Sequence, residues 1–417
     1  MISSNSTRYA LIICAVAAML SSCSSAAQSG FAPSGVTRTP LTDRAAQAQQ
    51  RSHGHVTYVY TVLPSLGGTA GATPFFINAK NLMAGDADLK GNRTEHATSW
   101  INGRITDLGT LGGLNSIARG NPDRGLITGF AQTATVDPLG ESWGYLFFCT
   151  ANGGCRGHNN LVLPFAWQNG VMTALPTLGG NNALVYGGVD SRGRSVGTAE
   201  NAARDPSCAA PQVFDWEAAV WGPKTGEIHE LRPFTGDVIG LATWINESGQ
   251  VVGGTGRCTF PSYSALHHAV LWDGRKVVDL GNLGGKKNNV AFAINNKYEV
   301  VGQSDLPGDK TTHAFYWKGG TMHDLGTLPG DVFSMAEAIN DEGQVVGQSC
   351  KRGSGSATCR AFLWQRGVMT DLNTLVGPSS SLTLINAEGI NDFGQIVGQL
   401  YDRSTGDGPG FWAIPTK

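Results

Sequence analysis

Charge is scarce in this chain. Asp, Glu, Lys and Arg make up 15% of its 417 residues, against roughly 25% in an ordinary globular protein. The formal net charge is −2 and no block of one sign stands out. That removes the electrostatic footprint of a nucleic-acid binder and the charged tail of an interaction segment. Long apolar runs are missing as well. The stretch YALIICAVAAML is too short to span a bilayer. No phosphate loop, H-E-x-x-H or C-x-x-C motif occurs, so the common signatures of nucleotide, zinc-protease and redox chemistry are absent. No cofactor and no metal is expected. Glycine, by contrast, is abundant at 57 residues, roughly twice ordinary usage. Many turns are implied.

The turns recur in a fixed unit. From His313 to Ser349 the chain reads HAFYWKGGTMHDLGTLPGDVFSMAEAINDEGQVVGQS. Short apolar or alternating pieces are separated by Gly, Asn, Asp and Pro, the pattern of strands joined by tight turns. Four strands in roughly 45 residues match one propeller blade, which cannot bury both faces alone and must stack with copies of itself. We label the strands A (SMAEAIN type), B (VVG), C (the tryptophan strand) and D (the DL strand). Tryptophans of strand C sit at 100, 167, 221, 272, 317, 364 and 412, and glycines of strand B at 85, 129, 197, 253, 302, 347 and 398. The ends are out of phase: the N-terminal side starts on a spare D strand at residues 57–63, and the C-terminal side stops on a C strand at 410–414. One terminus completing the other's blade closes a ring and removes exposed sheet edges. The fold class is therefore all-β, a seven-bladed β-propeller of four-stranded blades closed by pairing of N- and C-terminal strands, over residues 55–417. A β-solenoid would gain nothing from such ends and would need capping repeats. Small residues flank one strand A position, as in Ala336 and Ala338, Ala291 and Ala293, and Ala387 and Gly389. Strand A is expected innermost, its small side chains crowding the axis.

Before the repeats, residues 1–23 have the form of an export signal: Arg8 precedes an apolar core. Leu20-Ser21-Ser22-Cys23 has the form of a lipobox, with Cys23 as the lipidated residue; an ordinary signal peptide cleaved in the Ser/Ala run is the alternative. Residues 24–54, rich in Ser, Ala, Gln and Thr, make a flexible tether. This predicts an exported protein, an outer-membrane lipoprotein at the cell surface or in the periplasm, touching the membrane only through a lipid anchor; secretion is the alternative. Six further cysteines all fall between a B strand and the next C strand, and an even count in an exported chain implies disulfides. The expected pairs are Cys149–Cys155, Cys208–Cys258 and Cys350–Cys359.

Candidate chemistry is thin. His96, His268 and His313 occupy one strand position in separate blades, too far apart for a metal site, and read as structural. Asn340, Asp341 and Glu342 form a hairpin turn without the spaced oxygen ligands of a calcium loop. The longest insertion, 130–163, lies on the face formed by B–C loops and D–A links. Its Trp143, Tyr145, Arg156 and His158 are of types that suit binding on a rigid scaffold.

The repeat resembles the HAF-repeat family of bacterial extracellular repeat proteins, through His313-Ala314-Phe315, AFLW with DL at 361–372, DLGTLGG at 107–113 and INDEGQVVG at 339–347. The resemblance covers nearly all of residues 57–414. It implies no activity and carries over no catalytic residue. The functional expectation is a monomeric, non-catalytic propeller binding a protein or glycan through its B–C/D–A face. The alternatives are a carbohydrate-active hydrolase or lyase with a site over the central channel, and a structural envelope protein. Two or more carboxylates, or a His/Arg cluster, converging at the channel would separate enzyme from binder.

Overall fold

The computed structural model describes residues 56–416, apart from 121–124, 144–158, 225, 259–262, 353–357, 378 and 380. Seven four-stranded antiparallel sheets form a seven-bladed propeller. Blade 6 shows the unit: strand A Phe333–Ile339, B Val345–Cys350, C Cys359–Gln365 and D Val368–Asp371. Blade 7 combines both ends of the chain. Its strands A (Leu382–Ile390), B (Ile396–Asp402) and C (Gly410–Pro415) are followed in the sheet by Tyr58–Val62 as strand D. In that seam Tyr58 lies opposite Pro415 and Val62 opposite Phe411. The closure expected from the out-of-phase ends is the one found.

Each blade is built on the same register fault. In strand A of blade 6, Ala336 pairs with Gly347 and Ala338 with Val346, so Glu337 is an extra residue without a partner, a β-bulge. The same shift leaves Phe75, Arg119, Tyr186, Thr243, Phe292 and Glu388 unpaired in the other six A strands. The B-strand glycines explain why the fault is tolerated. A Cβ on Gly347 would lie 2.0 Å from the Met335 carbonyl oxygen, and the other six sites give 1.8 to 2.1 Å. Only glycine lets the bulged strand come so close.

The bulge also corrects one expectation. Ala336 and Ala338 do not face the axis. Ala336 packs with Ala293, Ala314 and Phe362 toward blade 5, and Ala338 with Tyr58, Leu384 and Ala387 toward blade 7. Their smallness serves close approach of neighbouring blades. The axis belongs to the bulged residues between them, whose side chains share one central cavity; strand A is innermost, as expected.

Repeated side chains hold the ring together. The indole N–H groups of Trp100, Trp221 and Trp272 donate to the carbonyls of Pro64, Pro176 and Arg232 at 2.7–2.8 Å, tying each C strand to the link that enters its own blade. His96 and His313 bond Asp107 and Asp324 on the adjacent D strand, both at 2.9 Å; these are structural contacts. In the A–B turns Asn340 caps its own turn by accepting from Glu342 and Gln344 N–H, and its amide reaches the Asn391 carbonyl of the next blade at 3.0 Å. Asn246, Asn295 and Asn391 repeat this contact, the last from blade 7 to Asn78 of blade 1. The turn asparagines thus form an interblade belt.

Two of the expected disulfides are present. Cys208–Cys258 links the B–C loops of blades 3 and 4, with Cα atoms 4.4 Å apart, and Cys350–Cys359 staples that of blade 6. They place the chain in an oxidising environment outside the cytoplasm. Cys23, Cys149 and Cys155 lie outside the described residues, as do the leader and tether.

Gly347→Ala is expected to lower unfolding free energy by roughly 3 kcal/mol or more, the range of severe backbone clashes. Gly377→Ala, at a site with nothing within 4 Å, should change it by less than about 0.5 kcal/mol. Urea melts of the two variants check this; equal effects would remove the bulge–glycine account.

Candidate functional site

The bulged residues form a ring of unlike halves. From blades 1 to 3 come Phe75, Arg119 and Tyr186; the Arg119 guanidinium carbon lies 3.8 Å from the Phe75 ring centroid and 4.8 Å from that of Tyr186. The cation is held between two π faces. Blades 6 and 7 contribute Glu337 and Glu388, half-buried in the wall of the same cavity as Arg119. Thr243 turns its hydroxyl away, onto the Ala291 and Val252 carbonyls. Phe292 completes the ring. One residue further along strand A, Phe76 and Trp244 pack on each other from blades 1 and 4, centroids 5.2 Å apart. Tyr263, from the B–C loop of blade 4, sets its ring edge-on to Phe292 at 5.2 Å and to Tyr186 at 6.1 Å. A loop of the B–C face therefore reaches the axis.

The cavity, partly open to solvent, offers about 60 Å³. One water needs ~10–15 Å³ on this measure, so the cavity admits a few water-sized groups. Enclosure pushes the Glu388 carboxyl up to about 7, with Arg119 pulling against it. Glu337 rises well above the carboxylate range, through burial first and then the neighbouring Glu388. Asp86, on strand B of blade 1, is raised by burial and by Asp88, with Arg119 opposing. Two buried polar atoms of residues lining this space have no hydrogen-bond partner among the described residues: Asn386 Oδ1 and Arg119 Nε. Buried polar atoms are ordinarily satisfied. Here they line a cavity.

The sequence points elsewhere. It places Trp143 on an exposed binding loop, yet this side chain is 0% exposed. Trp143 packs with Phe130, Val162 and Trp216 and donates its indole N–H to Gln212 Oε1 at 3.2 Å. The insertion begins by docking on blade 3: Gln212 Nε2 lies 3.1 Å from Glu141 Oε1 and 2.9 Å from Glu200 Oε1, and Glu141 accepts the Val213 and Phe214 N–H groups. Burial, then the nearby Glu141, pushes Glu200 up to about 8. An aromatic in such a network is interior packing. Tyr145, Arg156 and His158 lie outside the described residues. Residues 140–144 do have G-x-S-x-G spacing, but five residues separate Ser142 from the strand end at Val136, unlike the sharp turn of a nucleophile elbow.

Arg119, Glu337 and Glu388 do not stand out in the sequence, because the regular pattern lies in their small neighbours. The available signal for the two glutamates is the residue inside A-x-A/G-I-N, which recurs at 291–295, 336–340 and 387–391 with glutamate at the centre of two; Arg119, in Ala118-Arg119-Gly120-Asn121-Pro122, lies outside it.

No family model and no curated protein matches the sequence. Among solved structures, the chain is similar to a gluconolactonase from Xanthomonas campestris, at 11% identity over 61% of this chain and 79% of that one, TM-score 0.33. It is similar to Trypanosoma rangeli sialidase in complex with sialic acid at 12% identity, covering 83% and 60%, TM-score 0.38. Porphyromonas gingivalis dipeptidyl peptidase 4 gives 9% identity, 78% and 50% coverage, TM-score 0.38. Similarities this low bear on neither activity nor ligand.

Replacing Trp143 by Ala is expected to cost about 3–5 kcal/mol of stability, the range for buried large aromatics. Denaturant titration checks it; an unchanged midpoint would return Trp143 to the surface.

Proposed function

We propose that this chain is an exported, non-catalytic propeller of the HAF-repeat type that binds the end group of a small polar ligand in its axial cavity, approached from the B–C face. The observation that carries this reading is Asn386, which is 2% exposed, lines the cavity and leaves Oδ1 without a partner among the described residues. An unmet acceptor on a cavity wall has a use when a ligand supplies the donor. The Arg119–Glu337–Glu388 convergence favours a second reading, a glycan hydrolase. Against it, an acid/base pair needs environments that drive its two pKa values apart. Both glutamates here are driven upward.

Crystals soaked separately in glycerol, acetate and ethylammonium test the site. Density is expected beside Asn386 for at least one of them. Density only at the 130–163 insertion would move the site there, and release of p-nitrophenol from aryl glycosides, lost in Glu388→Gln, would establish the hydrolase.

The export reading includes Cys23 as the lipid anchor, supported by Leu20-Ser21-Ser22 before it. The mature protein should begin at a diacylated Cys23 by mass spectrometry. A free N-terminus elsewhere would remove the anchor.

A further inference from the structure

What remains in the axial cavity, after its internal bonds are counted, is mainly oxygen, beside the Arg119 Nε–H and the Gln348 amide. The Asn386 amide nitrogen is used on Glu388 at 2.6 Å, which leaves Oδ1. The Thr243 hydroxyl is used on backbone. Glu337 and Glu388 add carboxyl oxygens in the wall, with Asp86 close enough to feel both Arg119 and Glu388. Among the described residues of the wall the one cation is Arg119, sandwiched by Phe75 and Tyr186. Three acids therefore act on a single guanidinium, and apart from Gln348 the remaining wall is aromatic: Phe76, Trp244, Tyr263 and Phe292.

Resting on the axial-site reading above, we infer that the group taken up is a primary ammonium carried on a short hydroxylated or aliphatic frame. An ammonium offers three donors and no acceptor, which matches walls that mostly accept. Its charge favours the ionised form of Glu388, the acid of the group that titrates near neutrality, and aromatic faces stabilise it further. Its size suits a cavity of about 60 Å³. A carboxylate ligand would compete with Glu388 for the one cation of the wall, Arg119, and oppose its ionisation. A polyol would satisfy Asn386 but would not draw Glu388 into its ionised form.

The charge count sets the sign of a pH effect. In the free protein, burial holds Glu388 at about 7, facing Arg119 from blade 2, Asp86 from blade 1, Glu337 from blade 6 and the Tyr186 phenol from blade 3. A bound ammonium favours the ionised carboxyl, so binding releases a proton from the acid. Affinity for a ligand that stays cationic then rises with pH across the Glu388 titration.

Calorimetry at pH 6 and pH 8 tests this with 1-amino-1-deoxyglucitol and n-butylammonium; sorbitol, butanol and acetate serve as controls. Both amines are expected to bind, about tenfold tighter at pH 8, with proton release shown by the dependence of heat on buffer ionisation. The tighter of the two tells whether the native frame is hydroxylated or aliphatic. Glu388→Gln, confirmed folded by its melt, should weaken amine binding about tenfold or more and flatten its pH dependence. Sorbitol binding as tightly as its amine, without proton release, would overturn the ammonium and leave the axial site standing. So would acetate binding that weakens as pH rises. If no probe binds and no soaked fragment occupies the cavity, both readings fall.

Discussion

In all seven blades a strand B glycine lies so close to a strand A carbonyl that a Cβ would fall within about 2 Å of its oxygen. No Cβ fits there, so strand B gives up a side chain at that point and strand A gains an unpaired residue. That exchange reverses the alternation of strand A locally. Residues that strict two-residue alternation would send to the same side emerge on opposite faces, each against a different neighbouring blade. The residue between them is released toward the axis. Without the bulge the propeller would still have blades, but its centre would lack this ring of freely chosen side chains.

This separates what varies from what cannot. The strand B glycine and the C-strand tryptophan repeat in every blade, and the small flanks and turn asparagine in most, fixed by contacts within and between blades; Phe76 and Trp244 take the second flank in blades 1 and 4. The bulged position is freer of those duties, Thr243 alone bonding the backbone of the next blade. It is occupied by Phe, Arg, Tyr, Thr, Phe, Glu and Glu around the ring. Seven copies of one unit thus surround a chemically asymmetric site, with the charged residues in blades 2, 6 and 7 and an aromatic wall between.

Much of the architecture is legible in the sequence because it is local. Strand lengths, turn residues, the spare D strand and the cysteines of Cys208–Cys258 and Cys350–Cys359 are all short-range patterns. The candidate site is less so. A period-two reading of SMAEAI assigns alternate residues to alternate faces, and a bulge defeats that rule without a mark in the strand itself; the mark is the glycine on the neighbouring strand. Trp143 misleads for a different reason. Its partner, Gln212, lies 69 positions away in the next blade, so burial there depends on how insertions dock. Nothing in an aromatic, glycine-rich loop distinguishes packing from presentation.

The seam of blade 7 has a mechanical consequence. Thr416 N–H donates to the Thr57 carbonyl at 2.7 Å, and Tyr58 lies opposite Pro415, so both ends of the ring leave from one point on its outer rim. Tension arriving through the chain before Thr57 falls first on the strand that closes the ring, at its outermost hydrogen bonds. Those bonds would break in succession, as in a zip, instead of being sheared together. A pull from the N-terminal side would therefore open the disc at its perimeter while the six other blades, each continuous in sequence, remain unstressed.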